Sequence, residues 1–168
     1  VYNEMVAGWF RRGTSLGSYK KFIQSLSRGE MDNFKKSLSE YIIQTGSYFD
    51  FNKNTPEAVF HSFILGLVVG LKDSYMIQSN QESGLGRCDV IFIPKDKKVN
   101  GILLEFKTSS TAESLLDKAK EALSQVKDKR YTSIFKQHGI TSALAIGIAF
   151  FGKQVELMSE NINVSKYQ

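Results

Sequence analysis

The chain has 168 residues, of which 42% are hydrophobic and 23% are charged, and its formal net charge at pH 7 is +5. These values are ordinary for one globular domain with a sizeable core, and the positive excess favours a polyanionic partner. The single cysteine, Cys88, excludes an internal disulfide framework and a multi-cysteine zinc site, and it is compatible with a reducing, cytoplasmic setting. No run of about eighteen apolar residues occurs, so we expect no membrane span. Because the chain begins with Val1 rather than Met, we expect it to be a piece of a longer protein.

The first third of the sequence predicts amphipathic helices. Its apolar residues recur at helical spacing, namely at Phe22, Ile23, Leu26, Phe34, Leu38, Tyr41 and Ile42. Asp32 or Asn33 is expected to cap the second of these helices. Because neither helix carries a catalytic set, we interpret residues 1–50 either as a helical support or as the tail of a preceding domain.

A strong helix start follows at Thr55, Pro56 and Glu57. Thr55 is the expected N-cap, Pro56 takes the first helical position, and Glu57 lies in the first turn. Residues 58–71 are apolar nearly all round, so this helix is expected to be packed on most of its sides. Residues 75–79 then resemble a short strand.

Two apolar strands are predicted after a flexible turn at residues 83–86. They cover residues 88–93 and 99–107, and a charged hairpin loop at residues 94–98 joins them. Their central residues are apolar without alternation, which is typical of a sheet that is covered on both faces.

The rest of the sequence predicts one more helix and a final pair of strands. Thr111 is the expected cap of the helix. The apolar stripe of this helix consists of Leu115, Leu116, Ala119, Ala122, Leu123 and Val126. The strands are expected at residues 143–151 and 154–158, with a turn at Gly152 and Lys153. This order of elements predicts an α/β fold in which helices flank a mixed central β-sheet.

Asp89, Glu105 and Lys107 are charged residues embedded in the two apolar strands. Strand side chains alternate between faces, so Glu105 and Lys107 point the same way, and a hairpin brings Asp89 beside them. Mg²⁺ prefers hard oxygen ligands, so Asp89, Glu105 and the Phe106 carbonyl are candidate metal ligands. Lys107 is suited to orient an attacking water or to stabilise charge on a phosphate. The set predicts phosphodiester hydrolysis, and a structural ion network is the alternative.

In these residues the chain resembles the PD-(D/E)XK nuclease superfamily, whose motif is an acid on one strand and an acid-x-lysine on the next. It is similar in particular to a bacterial branch in which the nuclease domain often follows an AAA-ATPase-like domain. The segments that carry this likeness are residues 56–61, 82–89, 104–107, 121–125 with Tyr131, and 147–150. Cys88 stands where the name-giving motif has proline.

The resemblance implies a restriction-endonuclease-like core and identifies residues 51–168 as a nuclease-like domain. It also implies that Glu57 on the preceding helix completes the acidic site, and that Gln125 and Tyr131 contact the site or the substrate. The expected cofactor is Mg²⁺, with Mn²⁺ as a substitute, and the expected substrate is nucleic acid, with DNA favoured over RNA. An upstream ATPase-like domain is the expected partner in the parent chain.

Several of these residues also have an ordinary structural interpretation. Glu57 would interact favourably with the helix dipole in any protein. His61, on a largely apolar helix, is either a residue that reaches the substrate phosphate or a satisfied core histidine. Arg87 either grips a phosphate or balances Asp89, and Lys129 belongs to a basic group that we expect to face the substrate.

The leading hypothesis is therefore a nuclease that depends on Mg²⁺ or Mn²⁺. The first alternative is a non-catalytic module that binds nucleic acid or protein on a nuclease fold. Metal affinity separates the two, because a module that only binds needs no Mg²⁺. The second alternative is a domain that is active only within a larger ATPase or toxin-like chain.

Overall fold

The part of the chain that the computed structural model describes comprises residues 16–49, 51–79, 89–127 and 129–166. It contains five α-helices and a five-stranded sheet. The helices are α1 (Leu16–Arg28), α2 (Met31–Phe49), α3 (Glu57–Val68), α4 (Leu115–Val126) and α5 (Lys129–Gln137). The strands are β1 (Tyr75–Ser79), β2 (Val90–Pro94), β3 (Gly101–Thr108), β4 (Ser142–Phe151) and β5 (Gln154–Asn163). Short 3₁₀ turns follow α3 at Val69–Leu71 and β5 at Val164–Lys166.

The first two helices follow the predicted amphipathic pattern, but the predicted cap of α2 is wrong. This helix begins at Met31, so Asp32 and Asn33 lie within its first turn. The chain turns into the helix at Glu30, whose carbonyl accepts the Phe34 N–H at 3.0 Å. Asp32 still has a favourable position, because an acidic residue in the first turn interacts well with the helix dipole.

Helix α3 begins later than the sequence pattern predicts. Pro56 is extended, with φ −63° and ψ 148°, and it occupies the N-cap position, so Glu57 is the first helical residue. Thr55 is not the cap, because its Oγ1 accepts the Asn52 N–H at 2.8 Å in the preceding turn. The helix is packed on most sides as expected, and its buried residues are Phe60, His61, Phe63, Ile64, Leu67 and Val68.

The sheet has the strand order β1-β2-β3-β4-β5 and is mixed, as predicted. β1, β2 and β3 are antiparallel neighbours, β3 and β4 are parallel, and β4 pairs with β5 in antiparallel fashion. Helices α4 and α5 lie in the crossover that a parallel pair of strands requires. Gly152 makes the predicted turn between β4 and β5 at a φ of 55°, which favours glycine.

Large apolar side chains cover one face of the sheet, which we call the aromatic face. Helices α1, α2 and α3 pack there in one core, whose largest side chains are Phe22, Phe34, Phe60, Phe92, Phe106 and Phe150. Lys35 of α2 also forms an ion pair with Glu156 of β5 at 2.5 Å. The N-terminal helices therefore share one hydrophobic core with α3 and the sheet.

Helices α4 and α5 cover the opposite face. Their buried residues pack on Ile91, Ile93, Leu103, Ala143 and Ala145. Helix α4 begins at Leu115, because Thr111 forms a turn of its own in which Oγ1 accepts the Ser114 N–H at 3.2 Å. Leu116 is 42% exposed, so its predicted place in the apolar stripe is wrong.

Two further differences concern length and number. Strand β5 continues to Asn163, beyond its predicted end at residue 158, and helix α5 was not predicted.

None of the helices in the described ranges combines the length and the apolar character of a membrane span. The predicted fold class is confirmed, since helices flank a mixed central β-sheet on both faces.

Candidate active site

The end of the β2–β3 hairpin positions Asp89. Backbone pairing between these strands reaches Val90 opposite Leu104, and Asp89 immediately precedes this pair. Its side chain continues the ladder, because Oδ2 accepts the Phe106 N–H at 2.7 Å. A hydrogen bond to an ionised acceptor is short and comparatively strong. The hairpin thus brings the Asp89 carboxylate against β3, as the sequence argument expects.

Glu105 and Lys107 form a close pair on β3. Lys107 Nζ lies 3.2 Å from Glu105 Oε1, and the two side chains are 17% and 1% exposed, respectively. The second carboxylate oxygen, Oε2, is buried and has no hydrogen-bond partner in the described part of the chain. A buried carboxylate oxygen without a partner is costly. Glu105 therefore has a binding capacity that the described protein groups do not use.

The protonation of Glu105 reflects the same surroundings. The pKa of Glu105 is raised from 4.5 to about 7. Burial is the largest cause, and the charge of Asp89 acts in the same direction. Lys107 opposes the rise through its charge and its hydrogen bond, while the charge of Glu57 adds to it. Two carboxylates that repel each other at a buried position form an arrangement that a divalent cation stabilises.

A glycine brings helix α4 directly onto the strand beside the site. In the parallel register, Glu105 of β3 lies opposite Gly147 of β4. A Cβ atom on Gly147 would lie 2.3 Å from the Ala119 carbonyl oxygen and 2.3 Å from the Leu123 nitrogen. Gly147 has no predicted role of its own. A glycine inside an apolar strand is the signal that could have found it, because it often marks a close approach of backbone.

Ser109 is a second residue that sequence reasoning missed. It is buried just after β3, where its N–H donates to the Phe150 carbonyl at 2.7 Å. Its hydroxyl donates to the Thr111 carbonyl at 2.7 Å and lies 2.6 Å from Ser114 Oγ. These bonds hold the end of β3 that carries Lys107. A serine after a strand is too common to predict such a network from sequence.

Helix α3 places Glu57 and His61 one turn apart. Glu57 is half-buried at the first helical position, and its charge reaches Glu105. His61 is buried, and its Nε2 lies 3.2 Å from the Asp89 carbonyl oxygen and 3.2 Å from Ser79 Oγ. Of the two interpretations of His61, these contacts correspond to the satisfied core histidine.

Gln125 is exposed in the last turn of helix α4. Glu121, one turn earlier, shares that side of the helix. A hydrogen bond from Lys118 lowers the pKa of Glu121, and the charge of Lys107 contributes to the same shift. The side of α4 that carries Gln125 is therefore within electrostatic reach of Lys107, and the role of Gln125 stays a prediction.

The side chains of three predicted substrate contacts lie outside the described part of the chain. Arg87 falls between the described ranges that end at residue 79 and resume at residue 89. Lys129 and Tyr131 belong to helix α5 by their backbone, but their side chains are outside the described part. Their roles stay predictions.

The donor set fits a hard divalent cation. Among the described residues, no three Asp, Glu, His or Cys side chains group closely enough to form a metal cage. The charge of Glu57 acts on Glu105, and the role of Glu57 as a further metal ligand stays a prediction. Mg²⁺ usually keeps several waters and takes one or two carboxylates, so Asp89, Glu105 and the Phe106 carbonyl suffice. The buried, unpartnered Glu105 Oε2 supports this fit.

Comparison with curated proteins gives no match for this chain. Comparison with protein families matches residues 55–160 to the PD-(D/E)XK nuclease superfamily. The matched range is more than half of the chain, and it runs from the start of α3 into β5. The five-stranded mixed sheet with flanking helices is consistent with the restriction-endonuclease-like core expected of this superfamily. The chain therefore belongs to the PD-(D/E)XK nuclease superfamily.

Proposed function

We propose that the protein is a metal-dependent nuclease that hydrolyses phosphodiester bonds, with DNA favoured over RNA as the substrate. Membership of a nuclease superfamily supports a nucleic-acid substrate, and the formal net charge of +5 is compatible with one. The observation that carries the proposal is Glu105 Oε2, which is buried without a partner in the described ranges. The charge of Asp89 acts on this carboxylate, and Lys107 lies 3.2 Å from its other oxygen.

We assign Asp89, Glu105 and the Phe106 carbonyl to the binding of Mg²⁺, with Mn²⁺ as a substitute. The bound ion supplies a lowered pKa for the attacking water and neutralises charge on the phosphate. The Phe106 N–H holds one Asp89 oxygen at 2.7 Å, so this carboxylate is in place before a ligand arrives. Glu105 is 1% exposed, and its carboxylate is therefore fixed by the surrounding core.

Lys107 is the residue that we propose to act on the attacking water and the phosphate. Its side chain is 17% exposed, so its ammonium group lies nearer to solvent than the Glu105 carboxylate does. The ion pair with Glu105 uses one of three N–H donors, and the others suit a phosphate oxygen or a water. A positive charge held at this point stabilises the negative charge that develops during hydrolysis.

The remaining predicted residues are proposed to support substrate binding. Glu57, whose charge acts on Glu105, is proposed to complete the acidic site as a further metal ligand. Gln125 is exposed and available to a substrate that lies along α4. Arg87, Lys129 and Tyr131 are assigned to substrate contact on the basis of the family resemblance and their basic or hydrogen-bonding character.

Cleavage of labelled single- and double-stranded DNA and RNA with Mg²⁺, Mn²⁺ or EDTA tests the proposal. Asp89→Asn and Lys107→Ala are each expected to lower the cleavage rate by about 10²-fold or more. Asp96→Asn and Lys97→Ala are the matched controls, because both residues are exposed in the β2–β3 loop at the other end of β3. These controls should cleave like the unchanged protein.

The outcomes separate the three functional hypotheses. Cleavage that requires metal and disappears in both site variants supports the nuclease. Binding of nucleic acid without cleavage, and without affinity for Mn²⁺, supports a binding module instead. Mn²⁺ binding without cleavage, together with activity in a longer parent chain, supports a domain that works only within a larger machine.

A further inference from the structure

His61 contacts Asp89 at the backbone carbonyl. It is one of few buried polar residues in the described part, together with Ser25, Glu105 and Ser109. Its Nε2 lies 3.2 Å from the Asp89 carbonyl oxygen, and Ser79 Oγ lies at the same distance from Nε2. His61 therefore connects helix α3 to the last residue of β1 and to the residue that precedes β2.

The partners of Nε2 decide where the proton of the imidazole lies. A carbonyl oxygen only accepts hydrogen bonds, so we assign to Nε2 a proton that it donates to the Asp89 carbonyl. Ser79 Oγ lies at a distance at which it shares the same N–H as a second acceptor. The ring nitrogen that faces the site is thereby used by the protein backbone, so this nitrogen does not serve a phosphate.

The same ring also supports the residue that holds the Asp89 side chain. The rings of His61 and Phe106 lie 5.7 Å apart at an angle of 52°. The N–H of Phe106 in turn donates to Asp89 Oδ2 at 2.7 Å. His61 thus contacts the Asp89 carbonyl directly, and it also contacts Phe106, which binds the Asp89 carboxylate.

We propose that His61 is a positioning residue that fixes Asp89 for metal binding. The metal-binding part of this inference rests on the proposed function, whereas the fixing of Asp89 does not. Groups that orient metal ligands from behind typically change metal affinity or activity by about 10- to 100-fold when they are removed. Loss of the Nε2 donor should therefore weaken binding of the ion without removing any ligand.

The test compares His61→Phe, His61→Asn and His61→Gln in the full chain. Phe keeps a ring without a donor, and Asn is too short to place its amide at the Nε2 position, whereas the Gln amide reaches it. Mn²⁺ affinity is measured by calorimetry, and hydrogen exchange of the Phe106 amide is measured by NMR in EDTA. His138→Phe is the matched control, because His138 is exposed after helix α5.

We expect His61→Phe and His61→Asn to weaken Mn²⁺ binding about tenfold and to speed exchange of the Phe106 amide. His61→Gln should stay within about twofold of the unchanged protein on both measures. Equal effects of these two polar variants overturn the proposal, because only the Gln amide reaches the Nε2 position. Unchanged Phe106 exchange in the Phe and Asn variants overturns it as well.

The exchange measurement keeps this proposal separate from the proposed function. If the unchanged protein binds no Mn²⁺, the metal-dependent nuclease fails, and the fixing of Asp89 is still decided by the Phe106 amide in EDTA. If His61→Phe fails to fold, the Asn and Gln pair decides, since both variants retain a polar side chain at this position.

Discussion

The two faces of the sheet are packed in opposite ways. On the aromatic face, phenylalanine rings fill the space between the sheet and three helices, and Phe60 stacks on Phe150 at 4.3 Å. On the opposite face, α4 approaches the sheet so closely that a Cβ on Gly147 would lie 2.3 Å from its backbone. Ala119 and Ala149 are buried together in the same contact.

This difference bears directly on the charged residues. Glu105 and Lys107 lie opposite Gly147 and Ala149 in the parallel register, on the strand beside the small-residue contact. Small side chains and the close helix bury Glu105 without supplying a partner for Oε2 in the described part of the chain. The aromatic face thus provides stability. On the opposite face, the Glu105 carboxylate is buried with an unpartnered oxygen, and this arrangement favours the binding of a ligand.

The largest expected effect removes a ring from the aromatic face. Phe150 is fully buried, and its ring lies 4.3 Å from that of Phe60 and 6.2 Å from that of Phe106. Phe150→Ala should lower the free energy of unfolding by roughly 3–5 kcal/mol, because it loses burial and leaves a cavity. Urea unfolding measures this change. A loss below about 1 kcal/mol would show that the aromatic face does not carry the stability assigned to it.

The next largest effect is a gain in stability, which we expect when Glu105 is replaced by an uncharged residue. Its pKa is about 7 in the folded protein against 4.5 as the ordinary value, so the unfolded chain releases this proton first as pH rises. The metal-free protein should therefore lose stability between pH 4.5 and pH 7, by up to ~3 kcal/mol. Glu105→Gln should remove this dependence and unfold at a higher temperature than the unchanged protein at pH 8, while it loses cleavage.

Thermal unfolding in EDTA from pH 4 to pH 8 checks this prediction. Glu113→Gln is the matched control, because Glu113 is exposed in the turn before α4. Parallel stability curves for Glu105→Gln and the unchanged protein would show that Glu105 is not the buried, titrating group described here.

A smaller loss is expected from widening the close contact beside the site. Gly147→Ala should cost about 1–3 kcal/mol, because the added Cβ meets backbone of α4 that cannot move aside locally. Displacement of α4 should also lower metal-dependent cleavage by altering the cover over Glu105. Crystallography of the variant and urea unfolding test the two parts. Unchanged stability would mean that α4 does not approach the sheet this closely.

The last comparison is between the buried and exposed sides of α4, and its exposed member, Leu116, should give the smallest effect. Leu115 is 7% exposed, and Leu116 is 42% exposed. Leu115→Ala should lower the free energy of unfolding by about 2 kcal/mol or more, whereas Leu116→Ala should change it by no more than about 0.5 kcal/mol. Urea unfolding of the two variants measures both changes. A larger loss for Leu116→Ala than for Leu115→Ala would show that α4 turns a different side toward the sheet.

The sequence by itself determined the elements that depend on local pattern. Apolar spacing located α1 to α4, and alternation along a strand was enough to place Glu105 and Lys107 as a pair. A hairpin between two adjacent strands was enough to bring Asp89 to them. These inferences needed only the periodicity of helices and strands and a short connection.

The local pattern did not predict where α3 and α4 begin, and it did not predict helix α5. Other interactions compete with the pattern at these places. Thr55 and Thr111 look like caps, but each makes a hydrogen bond within the preceding turn, where such side chains also bond well. Helix α5 contains residues of modest helix propensity. Phe135 of this helix is buried against Gly101 of β3, a contact between distant segments that no local pattern reports.

The tertiary structure alone decided the chemical state of the site. The pKa of Glu105 and its unpartnered oxygen depend on what covers β3, and that cover is α4, held close by Gly147 on the neighbouring strand. The contacts of His61 with the Asp89 carbonyl and with Ser79 likewise join three parts of the chain that are separate in sequence. Desolvation and hydrogen bonding are set by all the surrounding atoms, so only the assembled fold fixes them.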